Sequence, residues 1–201
     1  MQVDIPLNAS GEVGIRNDGF WGMQVSPQTY NASFYVQTNS FRWNYTLTHF
    51  NVSLRDDASG DVFVSSTISV NSSTRPVPYM YSNYSTQLIN TETAPTVQNS
   101  LYITMDGDEL RGQTLYFDLV SLFPETYKNR PNGLRKDLAA HLEAANYRFL
   151  RFPGGNNLEG YSIARRWKWW ETIGPLINRP GRPGDWSYFN TDGLGLLEFM
   201  C

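Results

Sequence analysis

The sequence predicts two parts of different architecture: a β-sandwich over residues 1–122 and the first part of a (β/α)8 TIM barrel over residues 123–201. In the first part, short runs of alternating apolar and polar residues are separated by turns rich in Gly, Asn and Asp. After residue 130 the apolar residues adopt the period of a helix, and an apolar run with the length of a strand follows. Many short alternating strands indicate a sandwich, whereas a strand joined to helices on both sides is typical of a barrel.

Alternation predicts the strands of the first part. Every second residue of FRWNYTL at 41–47 is apolar. The apolar positions then shift parity to Phe50, Val52 and Leu54, which indicates a bulge or a short turn between the two runs.

Turn residues predict how the later strands are connected. The segment DDASGD at 56–61 has the composition of a turn. Asp106-Gly107 favours a hairpin between the apolar runs LYITM and LYFDLVSL that flank it. These two runs are therefore expected to be neighbours in one sheet.

A helical period follows in RPNGLRKDLAAHLEAAN at 130–146. The apolar residues recur at intervals of four, four and three: Leu134, Leu138, Leu142 and Ala145. Such a stripe predicts an amphipathic helix, with Asn132 as its N-cap and Asn146 in the left-handed conformation that often ends helices. The run YRFLRF at 147–152 predicts the next strand, and a second helix is expected to start within 191–201.

The corner FLRFPGGNN at 149–157 combines residue types that the end of a strand does not require. If the apolar residues face the surrounding helices, Arg151 points into the mouth of the barrel, where a guanidinium needs a carboxylate or a polar ligand. The two glycines let the backbone approach a ligand, and Asn156 and Asn157 offer the donors and acceptors that suit sugar hydroxyl groups. The alternative is a structural turn, in which Arg151 pairs with an acidic residue and the asparagines cap the next segment.

A long aromatic loop follows the corner. Trp167, Trp169 and Trp170 lie within four residues of one another, beside three cationic residues. At least one of the rings is expected in the core. Because a loop rarely buries every ring, we expect one or two along a cleft, which favours the sugar-binding interpretation of the corner.

Composition excludes several classes of function and site. A net charge of −3 without a basic patch argues against nucleic-acid binding, and the apolar runs are too short to span a membrane. The single cysteine, Cys201, excludes a disulfide framework, and His49 and His141 lack the spacing of metal ligands. We therefore expect no metal, no organic cofactor, and neither a nucleic acid nor a membrane as partner.

N-glycosylation sequons indicate in which cellular compartment the protein is expected to be found. Six N-x-S/T sequons lie in the first 100 residues: Asn8, Asn31, Asn44, Asn51, Asn71 and Asn83. Chance would supply roughly two or three, so the excess predicts a secreted, extracellular glycoprotein. The first ten residues lack the features of a signal peptide, which is expected to be absent from this chain. The alternative is a polar β domain whose sequons are accidental.

Three segments carry a resemblance to a known family. LYFDLVSLFPETYKNRPNGLRKDLAAHLEAANYRFLRFPGGNNLEG at 115–160 and RWKWWETIGPLINRPGRPGDWSYFNTDGLGLLEFM at 166–200 are similar to fungal α-L-arabinofuranosidases of glycoside hydrolase family 51. GEVGIRNDGFWGMQVSPQTYNASFYV at 11–36 resembles the carbohydrate-binding-module-like, jelly-roll sandwich of those enzymes. One departure is Trp170, which stands where relatives commonly have Asn.

The resemblance implies site residues in this chain. Arg151 matches the active-site arginine of the family's RFPGG motif, and Asn156 matches the family's substrate-contacting asparagine. Asn157, Glu159 and Trp169 correspond to loop residues that shape the mouth of the site. All five are therefore predicted to bind an arabinose-containing polysaccharide or oligosaccharide.

The resemblance also implies the reaction. Such enzymes are retaining hydrolases that release terminal non-reducing α-L-arabinofuranosyl residues from arabinoxylan and arabinan in hemicellulose, and they use two glutamates. Both glutamates correspond to positions beyond Cys201, and a further substrate-binding glutamate corresponds to a position before Met1. No catalytic residue is therefore expected in this chain, and the chain by itself is predicted to be inactive.

Two other interpretations remain open at this point. The chain could be a non-catalytic protein whose sandwich binds polysaccharide through exposed aromatic residues such as Trp21, Trp43 and Tyr45. Their alternation with polar residues favours packing in the core instead. The third interpretation is a truncated gene product that does not fold properly.

Overall fold

A computed structural model describes residues 1–39 and 46–200, except for the side chain of Asn157. Most of the strand predicted over 41–47 therefore lies outside the described residues, together with Trp43, Asn44 and Tyr45. The chain divides into two compact units, Met1–Glu125 and Thr126–Cys201.

Alternating sequences form strands throughout the first unit, because extended chain places successive side chains on opposite faces. The strands in the described part of this unit are β1 Gln2–Asp4, β2 Glu12–Asn17, β3 Gln28–Thr38, β4 His49–Asp56, β5 Val62–Ser69, β6 Ser82–Asn90, β7 Asn99–Asp106 and β8 Thr114–Phe123. They build two antiparallel four-stranded sheets with the orders β1-β8-β3-β6 and β2-β7-β4-β5.

The inner faces of the two sheets enclose the core. Phe34 of β3 packs edge-on against Phe50 of β4, with ring centroids 5.2 Å apart, and stacks on Tyr84 of β6 at 5.6 Å. Phe117 of β8 joins them at 6.1 Å from Phe34. These rings interdigitate between the sheets, as in other sandwiches. The prediction of a β-sandwich is thus confirmed.

Two of the connections test the predicted turns. The turn at 56–61 is confirmed: it joins β4 to β5, and Asp56 Oδ1 accepts hydrogen bonds from the amides of Ala58 and Ser59 at 2.8 Å each. The hairpin predicted at Asp106-Gly107 is wrong, because β7 and β8 lie in different sheets. Residues 107–113 cross between the sheets, and this connection is anchored by the fully buried Leu110.

The loop between β2 and β3 contradicts the expected packing of Trp21. This side chain is 88% exposed and lies perpendicular to its exposed neighbour Phe20. Gly19 and Gly22, both with positive φ, form a tight turn that points the two rings away from the sandwich. The turn chemistry of this loop thus overrides the alternation from which core packing was predicted.

The second unit holds short elements joined by irregular chain. Its described helices and strands are α1 Lys136–Ala144, α2 Asn156–Glu159, β9 Arg182–Pro183, β10 Phe189–Asn190 and α3 Leu196–Met200, with single 3-10 turns at Tyr127–Asn129, Ile163–Arg165, Trp169–Thr172 and Leu176–Asn178. β9 and β10 pair as a small antiparallel hairpin. None of the helices in the described residues has the length and apolar character needed to cross a membrane.

The first predicted helix is confirmed, and its C-terminal end is as expected. Asn146 has φ 50°, the left-handed conformation that follows the last helical turn. The predicted N-cap is wrong, because Arg135 occupies that position and Asn132 lies outside the helix. The leucine stripe is half-exposed in this chain, with Leu138 at 54% and Leu142 at 57%.

The strand predicted over 147–152 is absent. The segment is irregular, and Tyr147 and Phe149 are 73% and 87% exposed. A buried parallel strand needs hydrogen-bonded neighbours on both sides. The only strands described in this unit are β9 and β10, which pair with each other. An apolar sequence alone therefore does not make this segment a strand.

Candidate substrate-binding corner

The corner at 151–160 is positioned by one half-buried ring, that of Phe152. Phe152 stacks on Phe199 of α3, with centroids 4.2 Å apart, and meets Trp167 edge-on at 5.6 Å. Arg151, the preceding residue, is exposed. The packing of Phe152 therefore fixes the backbone of the corner and leaves the guanidinium of Arg151 accessible to a ligand.

Two glycines shape the short helix α2, which carries the predicted amides. Gly155 precedes the helix with φ +65°, and a Cβ atom there would meet nothing within 4 Å. Gly160 ends the helix with φ +64°, and a Cβ atom there would lie 2.6 Å from the carbonyl oxygen of Arg165. Asn156 and Glu159 are exposed on this helix. Glycine is needed at both ends, for backbone conformation and, at Gly160, for close approach.

The aromatic loop is tied to the corner through its backbone. The amide of Trp167 donates to the carbonyl of Leu158 in α2 at 3.0 Å. Trp169 and Trp170 follow as a perpendicular pair with centroids 5.8 Å apart, and each ring is about half exposed. Both rings thus lie at the surface, where an apolar face of a ligand could reach them.

A buried threonine sets the position of Trp169. Thr172 is fully buried, and its hydroxyl donates to the carbonyl of Trp169 at 2.8 Å. The same hydroxyl oxygen accepts the amide of Leu196 at 3.0 Å and so caps the start of α3. The hydrogen bond between Thr172 and Leu196 could not be predicted from the sequence, because the two residues are 24 positions apart and no sequence motif connects them.

An open cavity of about 440 Å³ lies beside the corner. It is lined by Phe152, Pro153, Trp167, residues 190–194 and Phe199. Arg151, Asn156, Glu159 and Trp169 are near these residues in sequence and are not among the described residues that line the cavity. The structure therefore places four of the five predicted binding residues on exposed surface, and the side chain of Asn157 lies outside the description.

Two carboxylates of this unit, Asp192 and Glu198, are engaged in largely buried ion pairs. Burial raises the pKa of Asp192, which lines the cavity, while Arg182 at 3.5 Å opposes that shift. Burial would also raise the pKa of Glu198, but hydrogen bonds from Arg179 and the amide of Gly195 hold it below its usual value. Glu198 therefore has a structural role at the start of α3.

The described residues contain no group of three or more His, Cys, Asp or Glu side chains arranged to hold a metal ion. The chemistry that this corner offers is instead that of polar recognition. Arg151 supplies a permanent cation with several N–H donors, and Asn156 supplies both donors and an acceptor. Such groups suit a neutral, hydroxyl-rich ligand.

Comparisons with known proteins give the corner its context. A family model described as the α-L-arabinofuranosidase 1 domain matches residues 141–201. A probable α-L-arabinofuranosidase A of Aspergillus flavus is 45% identical over 202 residues, and α-L-arabinofuranosidase A of Aspergillus niger is 40% identical over 202 residues. Each alignment covers 100% of this chain and 30% of the relative. The chain thus spans about 30% of the length of the curated relatives it matches.

A solved structure gives the same result. An arabinose-bound α-L-arabinofuranosidase of glycoside hydrolase family 51 is 44% identical, with a TM-score of 0.86. The match covers 99% of this chain and 31% of that chain. The resemblance predicted from the sequence is therefore confirmed: over nearly its whole length, the chain is similar to about 30% of the α-L-arabinofuranosidases A of Aspergillus and to about 31% of a solved α-L-arabinofuranosidase of glycoside hydrolase family 51.

Proposed function

We propose that this chain is the N-terminal part of a secreted, retaining α-L-arabinofuranosidase that releases terminal non-reducing arabinofuranosyl residues from arabinoxylan and arabinan. The observation that carries the proposal is the match of 99% of the chain to an arabinose-bound relative at 44% identity. Retaining hydrolysis needs two carboxyl groups about 5 Å apart on a rigid scaffold. We assign these groups to the part of the relatives' length that this chain does not span.

Residues 123–201 are proposed to begin the (β/α)8 barrel of that enzyme. The exposed apolar side chains of the second unit support this proposal: Phe149 and Leu150 are 87% and 66% exposed, and the leucine stripe of α1 is half-exposed. Apolar surface on this scale requires a cover. In a closed barrel, residues 147–152 would pair with neighbouring strands, and α1 would pack on their outer side.

Arg151 and Asn156 are proposed to bind the arabinofuranosyl unit. Both side chains are exposed, and they lie close in sequence to Phe152 and Pro153, which line the open cavity. Trp169, about half exposed, would offer a face to the apolar side of a sugar. Asn157 and Glu159 are proposed to shape the mouth of the site from α2.

A chimera tests the proposal. In it, this chain replaces the matching N-terminal 30% of the Aspergillus niger relative. We expect the chimera to hydrolyse a chromogenic α-L-arabinofuranoside, and the chain by itself to be inactive. Arg151→Ala should lower kcat/KM about 10- to 100-fold, because a hydrogen bond from a charged donor contributes about 1.5–3 kcal/mol.

Arg148→Ala is the matched control, since Arg148 is also exposed and lies three residues upstream, outside the proposed site. It should leave kcat/KM unchanged. Equal losses in the two variants would contradict the role of Arg151. Measurable release of arabinose by the chain alone would contradict the assignment of the catalytic groups to the rest of the enzyme.

Secretion with N-glycosylation completes the proposal. Asn8 and Asn71 lie in exposed turns, and Asn31 and Asn83 are exposed on strands of the first sheet. Asn51 is half-buried on β4, and Asn44 lies outside the described residues. The exposure of these amides supports glycan attachment, because an N-linked glycan requires a surface site.

A further inference from the structure

The outer face of the first sheet has an unusual composition. Odd-numbered residues of β3 and β6 point outward, since most of the even-numbered ones are buried and none is exposed. Strands β3, β6 and β8 contain no Lys or Arg and only one acidic residue, Asp118. Short hydroxyl and amide side chains pair with one another across the face, as in the 2.8 Å bond between Ser33 and Ser121. The face is thus nearly neutral and densely polar.

Three tyrosines gather at one end of this face. Tyr35 of β3 lies opposite Asp118 of β8, and Gln37 lies opposite Tyr116. The hydroxyl of Tyr81 bonds to Gln37, and its pKa is raised by burial and by the nearby carboxylate of Asp118. All three tyrosines are half-buried. We call Tyr35, Tyr81, Tyr116, Gln37 and Asp118 the tyrosine patch.

A sequon asparagine adjoins the patch. Asn83 is the cross-strand partner of Tyr35, and its Nδ2 donates to the Tyr35 hydroxyl at 3.2 Å. Tyr81 precedes Asn83 by two residues, and its contacts with outward-facing Gln37 place it on the same face. Ser85, which completes the sequon, is exposed on that face as well. The attachment atom therefore bonds to one tyrosine of the patch and lies on the same face of the sheet as a second, Tyr81.

We propose that Asn83 carries an N-linked glycan whose first sugar rings lie on the tyrosine patch. In the transfer, Nδ2 loses one proton and bonds to the anomeric carbon of the oligosaccharide, whose lipid-pyrophosphate carrier leaves. The substituted amide keeps one N–H, so the bond to Tyr35 is retained. The inference rests on the secretion included in the proposed function.

The chemistry of the patch suits this occupant. Apolar faces of pyranose rings stack on tyrosine, and their hydroxyl groups can bond to Gln37 and Asp118. From β6 to β8 the patch extends over roughly 10 Å, since neighbouring strands are about 4.8 Å apart. β6 is also an edge strand of its sheet. A glycan there would shield an edge that is otherwise open to pairing with another chain.

The other sequons differ in their surroundings. The Oδ1 atoms of Asn31 and Asn51 accept hydrogen bonds from Gln87 and Thr67 at 3.0 and 2.8 Å. The Oδ1 atom of Asn71 holds a turn by accepting the amide of Ser73 at 2.9 Å. Asn8 lies in an exposed turn and serves as the control site.

Secretion of the chain from a yeast host behind an added leader tests the inference. Glycopeptide mass spectrometry should find sugar on both Asn83 and Asn8. Asn83→Gln should lower Tm by about 2–4 °C, and enzymatic removal of the glycans should have a similar effect. Asn8→Gln should leave Tm unchanged.

A double-mutant cycle distinguishes a glycan that contacts the tyrosine patch from one that is attached to Asn83 without contacting the patch. Tyr81→Ala should lower Tm further in the glycosylated protein than in the Asn83→Gln background, because only the former loses a ring–sugar contact. In the Asn8→Gln background, Tyr81→Ala should retain its full effect.

Three results would overturn the inference. Equal effects of Tyr81→Ala with and without the Asn83 glycan would show that the glycan does not lie on the patch. Sugar on Asn8 with a bare Asn83 would overturn the inference and leave proposed secretion intact. A secreted chain without sugar on any sequon would contradict both the inference and the proposed glycosylation, whereas the proposed hydrolase activity would still stand on the chimera.

Discussion

On the outer face of the second sheet, Glu12 of β2 and Arg55 of β4 form a bidentate ion pair across β7. The two N–H···O distances are 2.6 and 2.8 Å, and the guanidinium lies 4.7 Å from the centre of the Tyr102 ring. Hydrogen bonds from Arg55 lower the pKa of Glu12 to about 2; burial opposes this shift and Thr104 adds to it. The pair joins the outer strand β2 to the middle of the sheet.

The lowered pKa predicts how stability depends on pH. A carboxylate with a depressed pKa in the folded state stabilises the protein above its unfolded value of 4.5, and this contribution is lost as the pH falls towards about 2. Glu12→Gln should therefore destabilise the protein at pH 7, whereas the two proteins should converge in stability near pH 2. Urea denaturation at pH 7, 4 and 2.5 measures the difference.

Glu92→Gln is the control, because Glu92 is exposed in a turn. It should unfold like the unmodified chain at all three pH values. Because the side chain of Glu12 is 47% exposed, the effect should shrink in high salt. A difference between Glu12→Gln and the unmodified chain that does not change with pH would contradict the assigned role of the ion pair.

At the scale of elements, α3 is held by one arginine from the preceding loop. Arg179 and Glu198 pair at 2.6 Å, with side chains only 5% and 14% exposed. Arg179 also donates to the carbonyls of Gly174, Asp192 and Gly193 at 3.0–3.2 Å. Glu198 in turn accepts the amide of Gly195 at 2.9 Å, which is half of a capping box at the start of α3.

Replacement of Arg179 should destabilise α3 and increase local unfolding at its N-terminal end. Arg179→Ala leaves Glu198 and several carbonyls buried without their donor, and breaking a buried pair in this way typically costs about 3–5 kcal/mol. Hydrogen exchange at the amides of Gly195 and Phe199 should accelerate at least about tenfold. Arg135→Ala breaks an ion pair that is 67% and 53% exposed, and should leave those amides unchanged. Equal exchange in the two variants would contradict the proposed role of Arg179.

At the scale of the whole molecule, burial is unevenly distributed. The core cluster of the described residues lies entirely between Ile5 and Phe117, within the sandwich. Ala139 is the one buried hydrophobic residue among the described residues of the second unit. Since burial of apolar surface is the main stabilising term in folding, the two units should differ strongly in stability.

Hydrogen exchange and limited proteolysis of the whole chain should show this difference. We expect slow exchange in β3, β4 and β7, and fast exchange over residues 147–160. Proteolysis should yield a resistant fragment that ends near residue 125, and a dye for exposed apolar surface should bind the intact chain more than that fragment. Uniform protection across both units would contradict the prediction.

Local patterns were sufficient where neighbouring residues decide the structure. The inward alternation of Phe50, Val52 and Leu54 predicted β4, and the turn at 56–61 closes on its own aspartate. Asn146 ended α1 as expected, because the left-handed conformation is a property of the residue itself. The family resemblance was likewise readable from contiguous motifs such as RFPGGNN.

Local sequence patterns gave wrong predictions where the structure of a segment depends on residues far away in the sequence. Asp106-Gly107 turns the chain, yet the pairing of β7 with β4 rather than with β8 depends on how two sheets enclose one core. Residues 147–152 have a strand-like sequence and lack strands to pair with among the described residues of their unit. Thr172 and Arg179 showed no sequence signal, because their partners in α3 lie about twenty residues away.

The sandwich, the helix at 136–144 and the likeness to family 51 arabinofuranosidases could all be predicted from the amino-acid sequence. Each depends on periodicity or on residues close together in the chain. Three-dimensional packing was needed to show which strands share a sheet, which carboxylates are held in ion pairs, and that Tyr35, Tyr81 and Tyr116 share one face with Asn83. Burial of apolar side chains is non-directional, so it brings strands together without specifying which strands pair. The pairing and its register are then determined by the hydrogen bonds between strands and by which face of each strand is buried.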